Sequence, residues 1–232
     1  MKKILVFTAT YNEKENIKKL ITLIFKHCSN ANVLIVDDNS PDKTAEEIEL
    51  LKNEFKNISL IKRDSKLGLD TAHKFAYKYA LNKGYDYLIT MDADLSHDPA
   101  ELTNFISSLE TYPFVIGSRY APGGKCLMKG RRLLMSKYGN ILIKLVLRIN
   151  CNEFTTSYRG FDLKKLGSFN LDTVKASGYS FFMKTIFEIS KRKIEIKEIP
   201  ITFKDRSQGY SKLPRIEIFR TLLNLFILIL KK

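Results

Sequence analysis

Short hydrophobic runs alternate along this chain with longer segments in which apolar residues recur every three or four positions. Five runs have the length of a buried strand, at residues 4–7, 33–36, 58–61, 87–90 and 114–117. Residues 17–25 and 72–80 carry apolar side chains at helical spacing. Continuous hydrophobic runs are typical of parallel strands buried on both faces. The pattern predicts repeated βαβ units, and so an α/β fold with a mostly parallel central sheet.

Acidic and polar residues follow three of the predicted strands. Glu13 follows the first strand, Asp37, Asp38 and Asp42 follow the second, and the stretch TMDADLSHDP at 90–99 contains the end of the fourth. Ligands of open α/β sheets bind at the carboxyl ends of strands, so we expect these loops to form one site. Taken singly, each loop is explained equally well as a turn or helix start, because Asp, Asn and Ser favour both.

The acidic stretch after the fourth strand divides into two parts. Asp92 and Asp94 are alternate residues of an extended segment, so their side chains point to the same side. Two neighbouring carboxylates need a counter-ion, and Mg²⁺ or Mn²⁺ prefers such oxygen ligands. An acid/base pair, a helix cap and a solvated charge cluster are the alternatives. Asp98 followed by Pro99 has the pattern of a helix start, so we assign it to a cap and keep Asp92 and Asp94 as candidate metal ligands.

Composition narrows the choice of partners. The 232 residues include 39 Lys and Arg against 25 Asp and Glu, a formal charge of +14, which favours anionic partners such as nucleic acid, an anionic membrane or a phosphate-bearing substrate. No helix-turn-helix, RRM, KH or zinc-finger pattern is present, so we expect no nucleic-acid partner. The three cysteines are widely spaced and form no CxxC pair, which predicts a reduced, cytoplasmic protein.

Seven motifs occur in order along the chain, namely ATYNEKENI, VDDNSPDKTAE, LGLDTA, MDADLSHDP, IGSRYAPGG, TTSYRGF and FKDRSQGYSKL. Together they resemble the motifs of family 2 glycosyltransferases, and within that family those of the dolichol- or polyprenyl-phosphate mannosyltransferases. The resemblance implies a GT-A fold, a nucleotide-sugar donor (GDP-mannose favoured), a polyprenyl phosphate acceptor, and Mg²⁺ or Mn²⁺. Residues 1–125 would be the nucleotide-sugar-binding core, and residues 126–232 the acceptor-binding part of the same domain.

The resemblance also assigns individual residues. The donor side would be Ala9, Tyr11, Glu13, Val36, Asp38, Asp92, Ala93 and Asp94. The acceptor and leaving phosphates would contact Arg119, Arg132, Ser136, Arg159, Arg206 and Lys212. We expect catalysis to depend on Asp94, Arg119 and Arg206, with Asp94 as the main metal ligand. A phosphate monoester is largely dianionic near neutral pH and is already a nucleophile, so His97 can be a general base or have a structural role.

Four positions depart from the family pattern, and alternatives stay open. Ala9 replaces a common Pro, Ser96 stands where Gln often assists the metal, Asp70 occupies a Gly-rich loop position, and Lys184 replaces a usual Glu. The enzymatic alternative is a UDP-hexose transferase acting on undecaprenyl phosphate or a glycan. The non-enzymatic alternative is a nucleotide-sugar-binding scaffold.

Two segments have the pattern of membrane-surface helices. Residues 125–148 run from basic to apolar, and residues 219–230 are apolar and precede two lysines. A core helix with a solvated stripe explains residues 125–148 equally well. The uncharged stretch at 221–230 is far shorter than the ~20 residues of a membrane-spanning helix. We therefore predict a peripheral protein on the cytoplasmic face of a membrane.

Overall fold

The computed structural model describes residues 2–205 and 224–226. Its first half contains β1 (Ile4–Thr10), α1 (Lys14–His27), β2 (Asn32–Asp37), α2 (Thr44–Glu54), β3 (Ile58–Lys62), α3 (Leu69–Asn82) and β4 (Tyr87–Thr90). Its second half contains α4 (Leu102–Thr111), β5 (Phe114–Ser118), β6 (Lys125–Cys126), α5 (Gly130–Leu147), β7 (Arg159–Asp162), α6 (Tyr179–Lys191), β8 (Ile196–Pro200) and β9 (Thr202–Phe203). Short 3₁₀ helices lie at Pro99–Glu101 and Leu171–Thr173.

Seven strands form the central sheet in the order β3-β2-β1-β4-β7-β5-β8. β7 runs antiparallel to both neighbours, β4 and β5, and the other pairs of this sheet are parallel. β6 and β9 form a separate parallel pair. The predicted α/β class with a mostly parallel sheet is therefore confirmed. Each of the five strands predicted from a hydrophobic run is present, as are the two helices predicted from periodicity.

Helices cover both faces of the sheet. Along β1, Leu5 and Phe7 pack into one core with α3, α5 and α6, whereas Ile4 and Val6 pack into a second core with α1, α2 and α4. This alternation follows from the two-residue period of a strand, and burial on both faces explains why the strands read as continuous hydrophobic runs. The result is a three-layer α/β sandwich whose strand ends carry the polar loops.

The pattern of hydrophobic runs does not predict β7 as a strand. Its four residues have no hydrophobic run, and Gly160 lies at its centre. A Cβ atom at Gly160 would come within 3.0 Å of the Phe105 side chain, so the close packing of α4 on this strand requires glycine. Pairing with two neighbouring strands, rather than local sequence, makes this segment a strand.

α5 confirms the predicted helix within residues 125–148. It buries Asn140, Ile143 and Leu147 against the protein and leaves an opposite row of large apolar side chains exposed. That row consists of Leu134, Tyr138, Ile141 and Leu145. Among the described residues, no helix combines the length and hydrophobicity needed to cross a membrane.

Candidate active site

The carboxyl ends of β2, β1 and β4 lie side by side at one edge of the sheet. Their loops contain the acidic residues predicted from the sequence. Each loop also contains a non-glycine residue with positive φ, namely Asn12 (60°), Asn39 (57°) and Leu95 (62°). Asn adopts this conformation readily, but for Leu it costs roughly 1–2 kcal/mol. Such strain concentrates at functional loops, and here it falls on the residue that directly follows Asp94.

Two acids of the β2 loop serve its structure. Asp37 accepts hydrogen bonds from the Thr10 hydroxyl (2.7 Å) and from the backbone and hydroxyl of Ser40 (2.9 and 2.6 Å). Asp42 accepts from the backbone N–H groups of Thr44 and Lys14, both at 3.0 Å. These bonds tie the β1 and β2 loops together at the start of α2. The alternative interpretation as a helix start is therefore correct for Asp42.

Asp38 differs from these two acids because its partners come from the segment between β3 and α3. It forms an ion pair with Arg63 (3.0 Å) and accepts the Gly68 N–H (3.2 Å). The Lys66 ammonium lies 4.1 Å from the centre of the Tyr11 ring, and the Glu13 carboxylate accepts from the Asn16 amide at 2.8 Å. This corner therefore combines a carboxylate, cations and an aromatic face.

Of the three apolar residues predicted for the donor side, two are buried and one is half-buried. The Val36 side chain lies entirely within the core, so only its backbone is available to a donor, and its place on the donor side stays a prediction. Ala93 is also buried in the core, on the other side of the sheet. Ala9 is partly buried and packs against the core from the end of β1.

The β4 loop places Asp94 and Ser96 together in the protein interior. Asp94 is buried, and its Oδ1 accepts the Ser96 N–H at 3.1 Å. The Ser96 hydroxyl is buried and has no hydrogen-bond partner among the described residues. The positive φ of Leu95 produces the turn between these two residues. An unpaired buried hydroxyl beside a carboxylate is an unused oxygen ligand.

Asp92 is the more accessible carboxylate, with a side chain that is 35% exposed. Its Oδ1 accepts the Ser157 hydroxyl at 2.5 Å, and its backbone N–H donates to His97 Nδ1 at 3.0 Å. Thr156 Oγ1 lies 3.2 Å from the other ring nitrogen, Nε2. The segment before β7 therefore contacts the acidic loop at two points.

His97 is buried, and burial lowers its pKa below the ordinary value, although the nearby carboxylates of Asp92 and Asp94 oppose this shift. The imidazole is therefore neutral at physiological pH. It lies between the rings of Tyr158 and Phe203, with centroid distances of 5.0 and 5.5 Å.

The donor set around Asp94 fits a hard divalent cation. Asp92 and Asp94 offer carboxylate oxygens and Ser96 an unpaired hydroxyl, which suits Mg²⁺ or Mn²⁺ rather than a metal that prefers nitrogen or sulfur. Within the part of the chain that the structure describes, no three His, Cys, Asp or Glu side chains form a metal-binding cluster. Mg²⁺ is commonly bound by one or two carboxylates together with water and substrate phosphate.

On the other side of the acidic loop, Arg119 follows β5 and forms a buried ion pair with Glu153. Nε donates to Oε2 at 2.6 Å, and Nη2 donates to Oε1 and to the Thr155 hydroxyl, both at 2.7 Å. Burial opposes both charges, but the attraction prevails: Glu153 raises the pKa of Arg119, and Arg119 lowers the pKa of Glu153. Both groups stay ionised, and the guanidinium is rigidly held.

α5 contributes two further residues predicted for the acceptor side. The Tyr120 hydroxyl, next to Arg119, donates to Ser136 Oγ at 2.7 Å, which fixes this part of α5 beside the β5 loop. Arg132 lies one turn earlier on α5, is exposed, and pairs with Asp205 at 3.3 Å. Ser136 and Arg132 are four residues apart, so they share a helix face.

The prediction that Arg159 contacts acceptor phosphate is wrong for this structure. Arg159 is 1% exposed and is the first residue of β7, where it pairs with Thr90 at the carboxyl end of β4. It donates to the carbonyls of Thr156 (2.9 Å) and Phe154 (3.2 Å), and its guanidinium lies 4.9 Å from the centre of the Phe182 ring. Burial lowers its pKa to about 9. Arg159 therefore supports the segment before β7 from within the core.

Two of the departures from the family pattern have local structural partners. Asp70 accepts the Gly178 N–H at 3.3 Å, which joins the start of α3 to the start of α6. Lys184 donates to the Lys175 carbonyl at 2.9 Å. Arg206 and Lys212, predicted to hold phosphate, lie outside the described residues, as does most of the apolar segment 219–230.

Sequence reasoning missed Glu153 and the hydrogen-bonding roles of Thr156 and Ser157. We name residues 153–157 the clasp segment, because they hold Arg119 through Glu153 and Thr155, and the Asp92 loop through Thr156 and Ser157. The available signal was that the last three residues of the segment begin the TTSYRGF motif, but nothing local distinguishes Glu153 from a solvated acid.

Solved structures share this fold. Glucosyl-3-phosphoglycerate synthase from Mycobacterium tuberculosis, in complex with Mn²⁺, UDP and glucosyl-3-phosphoglycerate, superposes with a TM-score of 0.69 at 14% identity, covering 97% of this chain and 79% of that one. A mannosyltransferase from Pyrobaculum calidifontis in complex with GDP-Man and Mn²⁺ gives a TM-score of 0.63 at 19% identity, covering 99% and 64%. The fold, with its paired acids after β4, is that of a GT-A glycosyltransferase.

Sequence comparison identifies the family. A family model described as "Glycosyl transferase family 2" matches residues 5–169. The chain is 34% identical to a Mycolicibacterium smegmatis protein named polyprenol monophosphomannose synthase, over 90% of this chain and 80% of its relative. It is 32% identical to a Micrococcus luteus protein named undecaprenyl-phosphate mannosyltransferase, over 91% and 87%. This chain belongs to glycosyl transferase family 2, so the resemblance inferred from its motifs is confirmed.

Proposed function

We propose that this glycosyltransferase moves mannose from GDP-mannose to the phosphate of a polyprenyl or dolichyl phosphate, with inversion at the anomeric carbon, and depends on Mg²⁺ or Mn²⁺. The observation that carries the proposal is its identity of 34% and 32%, over 90% and 91% of the chain, with two proteins named for mannose transfer to such lipids. The paired acids and the held arginine of the site fit the same reaction.

The corner around Asp38 supports GDP as the leaving group. Each Asp38 oxygen already accepts one hydrogen bond, from Arg63 and from Gly68, and each carboxylate oxygen has a second lone pair. Guanine presents two adjacent N–H donors, and one carboxylate can accept both together, whereas uracil presents a single N–H donor. The Tyr11 ring, beside Lys66, offers a stacking face for a base.

The proposed reaction needs phosphate positioning more than proton transfer. An oxygen of the largely dianionic acceptor phosphate attacks the anomeric carbon, and the bond from that carbon to the diphosphate oxygen breaks. A bound Mg²⁺ or Mn²⁺, held by Asp92 and Asp94, would stabilise the charge on the departing diphosphate. Arg119 and Arg132 would hold phosphate by charge and hydrogen bonds. Because the acceptor oxygen carries no proton, a general base is unnecessary.

The test offers the purified protein a panel of GDP- and UDP-sugars with a short polyprenyl phosphate and Mn²⁺, and identifies the products by mass spectrometry. We expect mannosyl-phosphoryl-polyprenol from GDP-mannose, and no product when the lipid phosphate is replaced by the free polyprenol. Transfer from a UDP-hexose alone would replace the proposed donor. Nucleotide-sugar binding without any product would favour a scaffold.

The exposed row of α5 supports a peripheral membrane location. Leu134, Tyr138, Ile141 and Leu145 follow one another at spacings of four, three and four residues, so they form one stripe. Arg131 and Lys137 are exposed on the same helix, one on each side of this stripe. An apolar stripe flanked by basic residues suits the surface of a bilayer with anionic lipids, where a polyprenyl phosphate resides. We propose that α5 rests on the cytoplasmic face of such a membrane.

Replacing Ile141 and Leu145 together by Glu should therefore weaken binding to phosphatidylglycerol vesicles at least about tenfold. Burial of each such side chain contributes roughly 1.5–3 kcal/mol, and the added charges oppose an anionic surface. Co-sedimentation with vesicles measures the effect. Leu50→Glu is the control, because Leu50 is an apolar residue on α2 that is nearly as exposed as Leu145 (64% against 68%). Equal binding by the α5 variant, or no preference for anionic over neutral vesicles, would refute this location.

A further inference from the structure

Asp92 is fixed at both its backbone and its side chain by residues that the proposed chemistry does not use. The Asp92 N–H donates to His97 Nδ1 at 3.0 Å, and Asp92 Oδ1 accepts from the Ser157 hydroxyl at 2.5 Å. Asp92 is the partly exposed acid of the pair, so its orientation would otherwise be free to vary. The two bonds fix the direction in which its carboxylate points.

His97 is itself held in one orientation and one tautomer. Because Nδ1 accepts the Asp92 N–H, the ring proton lies on Nε2, which donates to Thr156 Oγ1 at 3.2 Å. Thr156 Oγ1 also accepts the Tyr158 N–H at 3.2 Å. The rings of Tyr158 and Phe203 pack beside the imidazole. Hydrogen bonds and packing therefore give the ring a single position.

We propose that His97 is a positioning residue: together with Thr156 and Ser157 of the clasp segment, it orients Asp92 toward the metal and diphosphate. This inference rests on the proposed metal-dependent function. Residues that orient metal ligands in this way affect metal affinity without touching the metal.

The same geometry argues against His97 as the general base. A base must present a free lone pair to the proton that it removes. In His97 the only lone pair of the neutral ring accepts the Asp92 N–H, and the ring is 1% exposed. The sequence left two roles open for His97, general base and structural residue. The structure favours the structural role, in which His97 contacts the acidic loop.

Three variants separate the hydrogen bond from the packing. His97→Phe keeps an aromatic ring between Tyr158 and Phe203 but removes the acceptor. His97→Asn loses the ring but places an amide oxygen near the position of Nδ1, where it can accept the Asp92 N–H. Ser157→Ala removes the bond to the Asp92 side chain. Each is compared with the unaltered protein by electron paramagnetic resonance titration of Mn²⁺ in the presence of GDP, and by GDP binding without metal.

We expect His97→Phe and Ser157→Ala to weaken Mn²⁺ binding about tenfold or more, the effect typical of residues that orient metal ligands, while His97→Asn stays within about threefold. Metal-free GDP binding should be unchanged in all three. Any of three results would overturn the inference. These are an unaltered Mn²⁺ affinity in His97→Phe, equal losses of Mn²⁺ affinity in His97→Phe and His97→Asn, and a parallel loss of metal-free GDP binding. The proposed metal-dependent function fails instead if the unaltered protein binds no Mn²⁺, or if Asp92→Asn does not abolish that binding.

Discussion

Replacing Asp94 by Asn is expected to lower the rate of mannosyl transfer by about 10³-fold or more. A metal ion contributes several kcal/mol to the stabilisation of a departing diphosphate, and each 1.36 kcal/mol is a factor of about ten in rate. Asn keeps an oxygen that can accept the Ser96 N–H, the bond that measures 3.1 Å here, and removes the negative charge. Initial rates at saturating GDP-mannose and lipid phosphate, with increasing Mn²⁺, measure the effect.

Asp98→Asn is the matched control for this prediction. Asp98 lies four residues further along, caps the 3₁₀ helix by accepting the Ala100 N–H at 3.1 Å, and forms a half-exposed ion pair with Lys204 at 3.0 Å. Asn is an equally good cap, and such an ion pair contributes only about 0–1 kcal/mol. We expect nearly normal transfer from this control. Nearly normal transfer from Asp94→Asn as well would refute the assignment of Asp94 as the main metal ligand.

Local sequence patterns predicted the parts of the fold whose stability is local or depends on simple burial. The run ILVF predicts a buried strand from hydrophobicity alone, and the Asp98-Pro99 pair predicts a helix start from local backbone preferences alone. The structure confirms both. β7 could not be found this way, because its burial depends on β4, β5 and α4 packing around Gly160. Its sequence contains no hydrophobic run that would distinguish a strand from a loop.

The sequence predicted which loops form the candidate site, but not the hydrogen-bond and ion-pair partners of their side chains. Asp37 and Asp38 are adjacent and chemically identical, yet one holds the loop together and the other faces Arg63. Arg159 was expected to contact acceptor phosphate, as Arg119 was, but it is 1% exposed and donates to the carbonyls of Thr156 and Phe154. Long-range pairing decides both outcomes, and a single sequence does not contain that information.

The second large effect is expected at Glu153, 34 residues from Arg119 in sequence. Glu153→Gln removes the charge but nearly preserves the volume, which leaves the buried Arg119 guanidinium without a counter-ion. Removing one partner of a buried ion pair typically costs about 3–5 kcal/mol, so we expect a loss of that order in the free energy of unfolding. Urea denaturation measures this loss, provided that the free energy of unfolding depends on urea concentration with the same slope in both proteins.

A double variant separates stability from function at this pair. Arg119→Met with Glu153→Leu removes both buried charges, so we expect it to regain most of the stability that Glu153→Gln loses. Transfer activity should not return, because methionine has no guanidinium to contact phosphate. In the unaltered protein Nη1 would make that contact, since Nε and Nη2 are bonded to Glu153 and Thr155. Thr155→Val is the control, since losing one neutral hydrogen bond costs only about 1 kcal/mol. A stable double variant with normal transfer would show that Arg119 is structural and that phosphate is held elsewhere.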